Sequence, residues 1–164
     1  MNPRSVEQSI EIRDLDLRDL AAFAVLRRRI AGQNQFSLPA IADLRAEGES
    51  VAVQVARTLA DPAQKRIVAL RDGGLVGFVS AYREGNAAQL EIGVDAAWIG
   101  LGVGRQLMAA TEAWARAAGL ARLELNVVPA NLRAIALYKR CGFNVDRIAN
   151  GAGSELHQMS KILD

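Results

Sequence analysis

Residues 94–105, Val94-Asp95-Ala96-Ala97-Trp98-Ile99-Gly100-Leu101-Gly102-Val103-Gly104-Arg105, set three alternate glycines between an apolar strand and an amphipathic helix. Glycine permits a tight turn and a close approach of the backbone to a ligand. The free N–H groups of the helix start, with its positive dipole end, then make a cradle for phosphate. Arg105 adds a formal cation at the mouth. A dinucleotide-binding fingerprint needs glycine three residues after Gly102, where Arg105 stands, and a P-loop needs a Gly-Lys-Ser/Thr run that is absent. A glycine turn used only for close packing is the bland alternative. A pyrophosphate loop of a third kind fits best.

Working outward, the half before this loop reads mostly as strands. Ile10–Arg13 is a first strand, and 16–30 carries a helical pattern through Leu17, Leu20, Phe23 and Leu26. Arg27-Arg28-Arg29 on that helix reads as a solvated face. Gly32–Pro39 reads as a loop. Ser50 is placed to cap a helix through Val51, Val55 and Leu59. Lys65–Arg71, the Asp72-Gly73-Gly74 turn and Leu75–Arg83 give a hairpin signal, and Ala88–Val94 follows the Gly85-Asn86 turn.

After the loop, Arg105–Ala118 reads as a helix stopped by Gly119, and Arg122–Val128 alternates as a strand. Asn131 caps a helix ending at Gly142, and Phe143–Ile148 with Leu156–Ile162 form a closing hairpin. The strand, helix, strand order across the loop is a crossover unit, so that strand pair should be parallel inside an otherwise antiparallel sheet. The fold class is therefore α/β (α+β), with a mixed, mostly antiparallel sheet of about seven strands and about four flanking helices.

The whole chain bounds this reading. Its 164 residues suit one domain over 1–164, with 51% hydrophobic and 23% charged residues. The single cysteine, Cys141, rules out an internal disulfide, and a cysteine-rich zinc site has no ligands. No metal is expected. No signal peptide or membrane span is evident, which points to a cytoplasmic protein with no membrane partner. A net charge of +2 with 5% aromatics does not make a nucleic-acid footprint.

A second block strengthens the first. Asn131-Leu132-Arg133-Ala134-Ile135-Ala136-Leu137-Tyr138-Lys139-Arg140-Cys141-Gly142-Phe143 resembles the Asn-x-x-Ala-x-x-Leu-Tyr-x-x-x-Gly-Phe helix of the GNAT superfamily of acyl-CoA-dependent N-acyltransferases. Gly102-Val103-Gly104 is similar to the glycines of that family's central loop, and Val94 to its strand end. Ile99 departs from the usual Gln or Arg, a departure that weakens loop electrostatics and that Arg105 can offset. With strand order and hairpin placement included, the resemblance spans about Ile10 to Leu163.

That resemblance implies a splayed GNAT-like sheet and transfer of an acetyl group from acetyl-CoA (coenzyme A as carrier, no metal) to a primary amine. It implies cofactor contacts from Ile92, Val94, Ile99, Gly100, Leu101, Gly102, Val103, Gly104, Arg105, Asn131 and Tyr138. Tyr138 would be the general acid toward the departing thiolate. Glu91 is the leading general base, with Glu124 or a water chain as alternatives. Asn131 has a second reading as a plain helix cap, and His157 and Cys141 read as packing residues. Expected partners are a small-molecule amine or a peptide, with residues 31–50 and 150–155 as acceptor determinants. The closing hairpin is a candidate homodimer contact. The alternative function is a non-catalytic acyl-CoA-binding or sensing module on the same fold.

Overall fold

A computed structural model describes residues 9–33, 51–151 and 154–164. The Ser50 cap and the acceptor determinants expected at 34–50 and 152–153 lie outside these residues. Seven strands form one sheet: β1 (Glu11–Asp14), β2 (Gln64–Arg71), β3 (Gly74–Glu84), β4 (Ala87–Val94), β5 (Arg122–Val127), β6 (Asn144–Gly151) and β7 (Ser154–Ile162). Their order is β1-β2-β3-β4-β5-β7-β6. Every neighbouring pair is antiparallel except β4 with β5, which is parallel as the crossover unit requires. The described helices are α1 (Leu20–Gln33), α2 (Val51–Thr58), α3 (Val103–Ala117) and α4 (Leu132–Arg140).

The hairpins follow from their turn residues. Arg71 pairs with Gly74, so Asp72 and Gly73 alone make the β2–β3 turn, both at positive φ (51° and 79°). Two left-handed residues match the twist of the flanking strands, which is why Asp-Gly suits this place.

The sheet separates two apolar layers. On one face Leu107 and Met108 of α3 and Ile135 and Tyr138 of α4 pack over Ala88, Leu90, Leu123, Leu125 and Met159. On the other, Phe23, Leu26 and Ile30 of α1 and Val55 of α2 pack over Val68, Leu70 and Phe78. Phe23 and Phe78 meet edge to face at 5.3 Å, a favoured aromatic geometry.

Two helix starts differ from the sequence pattern. The first helix does not begin at Asp16: Leu17–Asp19 form a 3-10 turn closed by a reciprocal cap between Asp16 and Asp19. Arg13 grips the Asp19 carboxylate with two bonds of 2.6 and 2.9 Å, fixing the chain direction before α1. The helix after the glycine loop starts at Val103, two residues before Arg105, because Gly102 in the left-handed region (φ 84°) serves as its N-cap. Phe143 belongs to no strand; it packs against Tyr138 at 6.2 Å between ring centres.

Gly93 shows how tightly α1 is drawn onto β4. A Cβ there would lie 2.6 Å from Phe78 Cε1 and 3.3 Å from Ile30 Cδ1. Overpacking of this kind costs about 1–3 kcal/mol. Gly93→Ala should lower unfolding stability by that amount in urea melts, with no change in the denaturant slope.

Candidate active site

The sheet opens where the two parallel strands meet. β4 and β5 are in register only at Ala87–Arg122, Ala88–Leu123 and Gln89–Glu124. Beyond Gln89 the strands part, although β4 stays bonded to β3 as far as Val94. The two-residue turn after Glu84 and the Asp95 N–H bond to the Val76 carbonyl (2.9 Å) fix which groups face which side. Backbone groups alternate along a strand, so the amides and carbonyls of Ile92 and Val94 turn away from β3 into this gap. A slot with an unpaired strand edge results, suited to a ligand that adds its own amide hydrogen bonds.

The glycine loop closes one end of the slot. Gly100 and Gly102 sit at φ 81° and 84°, conformations that side chains resist. Among the described residues the amides of Gly100 to Arg105 find no acceptor; the first helical bond runs from the Gln106 N–H to the Gly102 carbonyl at 3.1 Å. Gly104 serves packing as well, since a Cβ there would meet Leu137 Cδ2 at 2.8 Å. Arg105 is exposed and, among the described residues, holds no ion pair. Six amides and a guanidinium without partners among the described residues, at a helix N-terminus, suit a diphosphate. Ile99 and Leu101 are exposed beside them and offer apolar contact instead of charge.

The loop is braced from α1. Asp95, buried at the end of β4, accepts from Arg29 (2.7 Å), Gln33 (3.3 Å) and the Ala97 N–H (3.2 Å). Gln33 Oε1 in turn accepts from the Ala96 N–H at 2.9 Å. Arg71 lies over the Trp98 ring, 4.9 Å from its centre. Burial opposes ionisation of Asp95, but the bonds from Arg29, Ala97 and Gln33 outweigh it and hold its carboxyl below the usual range.

The candidate reacting groups stand on opposite faces of the sheet. Tyr138 is buried in the α3–α4 layer, and burial pushes its phenol far above the usual range. It therefore stays protonated and can donate a hydrogen bond. Glu91 points to the α1 face, where Arg27 bonds its Oε1 at 2.8 Å. Burial raises the Glu91 carboxyl, and the nearby charges of Arg27 and Arg66 only partly offset this. Its second oxygen has no partner among the described residues. Asn131 caps α4, its side chain accepting from the Ala134 N–H at 3.3 Å. Glu124 is bonded to Arg122.

The arginine run is not a solvated face throughout. Arg28 is exposed, but Arg27 is 3% exposed between Phe23 and Phe78, and Arg29 reaches Asp95. Burial alone would expel such a charge; the Glu91 carboxylate and two ring faces hold it in place. Asp95, Arg29 and Gln33 carry no motif, and their only signal is the i, i+4 spacing of Arg29 and Gln33. Cys141 ends α4 half-buried, with burial pushing its thiol up, and its carbonyl accepts from Lys161 at 2.8 Å. His157 stands 4.0 Å from Glu155, and among the described residues no group of three metal-ligating side chains forms. None of the described helices is long and apolar enough to cross a membrane.

A model of the acetyltransferase (GNAT) family matches residues 35–143, about two thirds of the chain. A search of curated proteins finds no match. Among solved structures, an acetyltransferase of the GNAT family from Streptococcus pneumoniae superposes with a TM-score of 0.84 at 22% identity, over 95% of this chain and 100% of that one. The PaiA N-acetyltransferase of Thermoplasma acidophilum, in complex with coenzyme A, gives 0.77 at 22% identity over 94% and 99%. A GCN5-related N-acetyltransferase from Kribbella flavida gives 0.75 at 26% identity over 94% and 98%.

Asp95→Asn keeps the shape of the brace and removes its charge. The variant should be less stable at neutral pH and bind coenzyme A at least threefold more weakly in calorimetry. A lowered aspartate contributes stability above its unfolded value of ~3.9 and loses it as pH falls through the folded value. The stability gap between variant and parent should therefore close in acid melts.

Proposed function

The chain belongs to the GNAT acetyltransferase family, and from that premise we propose that it transfers an acetyl group from acetyl-CoA to the primary amine of a small-molecule or peptide acceptor. The observation that carries this reading is the parted β4–β5 edge ending in six amides that find no acceptor among the described residues. Ile92 and Val94 would bond the amide groups of the pantetheine arm, while the amides of Gly100 to Gly104 and the Arg105 side chain would take the diphosphate. The coenzyme A printed for the Thermoplasma relative supports the same occupant. Residues 1–164 then form a single transferase domain.

The slot delivers the thioester between the two faces, with Glu91 on one side and Tyr138 on the other. An alkyl ammonium near pKa 10.4 costs about 4 kcal/mol to deprotonate at pH 7.4. Glu91 is the acceptor for that proton: its burial raises its basicity, and its second oxygen has no partner among the described residues. As the amine attacks, a C–N bond forms and the C–S bond breaks, and the proton lost by nitrogen passes to Glu91 and on to solvent. Tyr138 donates a hydrogen bond to the departing sulfur, which leaves as the thiolate and becomes the thiol by taking up the second proton that nitrogen sheds as the amide forms. Because burial raises this phenol, stabilisation of developing charge is a larger part of its role than full proton transfer. Asn131 holds the start of α4, and with it the direction in which Tyr138 projects.

A non-catalytic acyl-CoA sensor is the second reading, favoured by the Arg27 bond that already occupies one oxygen of Glu91. Coenzyme A thiol release across a panel of amines, amino acids and peptides, run beside acetyl-CoA calorimetry, separates the two. A transferase binds and releases thiol with at least one acceptor class; a sensor binds without release.

Tyr138→Phe should lower kcat at least tenfold and leave acetyl-CoA affinity within about twofold, a split of 1.4 kcal/mol or more on the chemical step alone. Unchanged turnover would remove Tyr138 from the reaction. Gly102→Val forces a β-branched residue to φ 84° and should abolish acetyl-CoA binding in calorimetry while α3 and the overall fold survive by circular dichroism.

A further inference from the structure

One row of side chains crosses the α1 face of the sheet at the level of the gap. The register pairs Arg66 with Ser80 and Ser80 with Glu91 on β2, β3 and β4. On the far side Asn126 pairs with Gln158, and Gln158 with Arg147, on β5, β7 and β6. Gln89 is level with Glu124, so two residues on, Glu91 is level with Asn126 across the opening. Cross-strand partners share a face, and all six therefore line the face from which Arg27 reaches Glu91.

Charge along this row is unbalanced. Arg27, Arg66 and Arg147 bring three cations, and Glu91 is the one carboxylate in the row. Arg66 is 8% exposed and bonds Thr58 Oγ1 at 2.8 Å; among the described residues it makes no direct ion pair, although its charge acts on Glu91. Arg147 is exposed, donates its Nε to Gln158 Oε1 and likewise pairs with no acid there. Glu124, the next acid on this face, is engaged by Arg122, and Asp146 is the extra residue of a bulge beside the row. Positive charge in excess along one row disfavours a polycationic ligand and favours one that brings an anion.

We propose that this row is the acceptor platform and that it selects an amine carrying its own carboxylate, with the amine at Glu91 and the carboxylate at Arg147. The proposal rests on the transferase reading above and names its substrate class. Arg147 is drawn over β7 by Gln158, and because β4 and β5 part at this level it lies more than two strand spacings, over roughly 10 Å, from β4. After a hydrogen bond at each end, that leaves at least roughly 4–5 Å between amine and carboxylate. A short ω-amino acid or a dipeptide spans this distance. Asn126 and Gln158 lie between and offer amide groups to the middle of such a molecule.

The test compares thiol release from acetyl-CoA with β-alanine, 4-aminobutyrate and glycylglycine against the corresponding amides and against spermidine. Each acid should exceed its amide at least tenfold in kcat/KM, with spermidine slowest. Arg147→Ala should erase that advantage chiefly through the KM of the acids, and Arg147→Lys should restore part of it. Amides or spermidine equal to or better than the acids would overturn the proposal, as would Arg147→Ala slowing acids and amides alike. Acetyl-CoA binding in calorimetry with no release by any of these acceptors would overturn it too, while leaving a transferase for another acceptor. Absence of acetyl-CoA binding would remove both readings.

Discussion

Everything at the site depends on β4 holding β3 to its end while it releases β5 after three pairs. An unpaired strand edge inside a sheet leaves several hydrogen-bonding groups without partners, a cost that a sheet ordinarily avoids. The apolar layer under α3 and α4 reaches Ile92 and Val94 on one side of it, and the polar row around Glu91 lies on the other. A molecule that lay in the slot and bonded to this edge would complete the sheet, so its binding and the repair of the sheet would be one event.

Helix α1 is the second support. Within one turn it sends Arg27 to Glu91 on β4 and Arg29 to Asp95, the residue that follows β4. One bond steadies the proposed base; the other, with Gln33, steadies the approach to the glycine loop. The same helix thus ties the face that carries Glu91 to the glycine-loop end of the slot. Gly93, between the two anchored acids, has no side chain and lets Phe78 and Ile30 close up beneath them.

Local chemistry was readable wherever the backbone itself restricted the choice of residue. The Asp72-Gly73 turn, the left-handed Gly100 and Gly102, the Asn131 cap and the alternation of Leu123, Leu125 and Val127 all announced themselves. The parallel β4–β5 pair followed from connectivity. What stayed hidden was long-range. Arg27 looks like its neighbours Arg28 and Arg29 because helical periodicity does not say which carboxylate waits 64 residues downstream. Asp95 reads as an unremarked loop residue until Arg29 and Gln33 converge on it. The start of α1 was misplaced because a reciprocal Asp16–Asp19 cap and the Arg13 clamp favour a tighter turn over helical propensity.

The bulge at Asp146 has a consequence for the molecule's life in a crowded solution. β6 is an outer strand of the sheet, and its exposed Val145 and Ile148 would make a straight edge there adhesive. The register shift between Val145 and Arg147 breaks the regular ladder, and it sets two charged side chains beside those apolar ones. A bulged, charged border offers a poor template for another chain's strand, so it protects the open end of the sheet against fibre-like stacking.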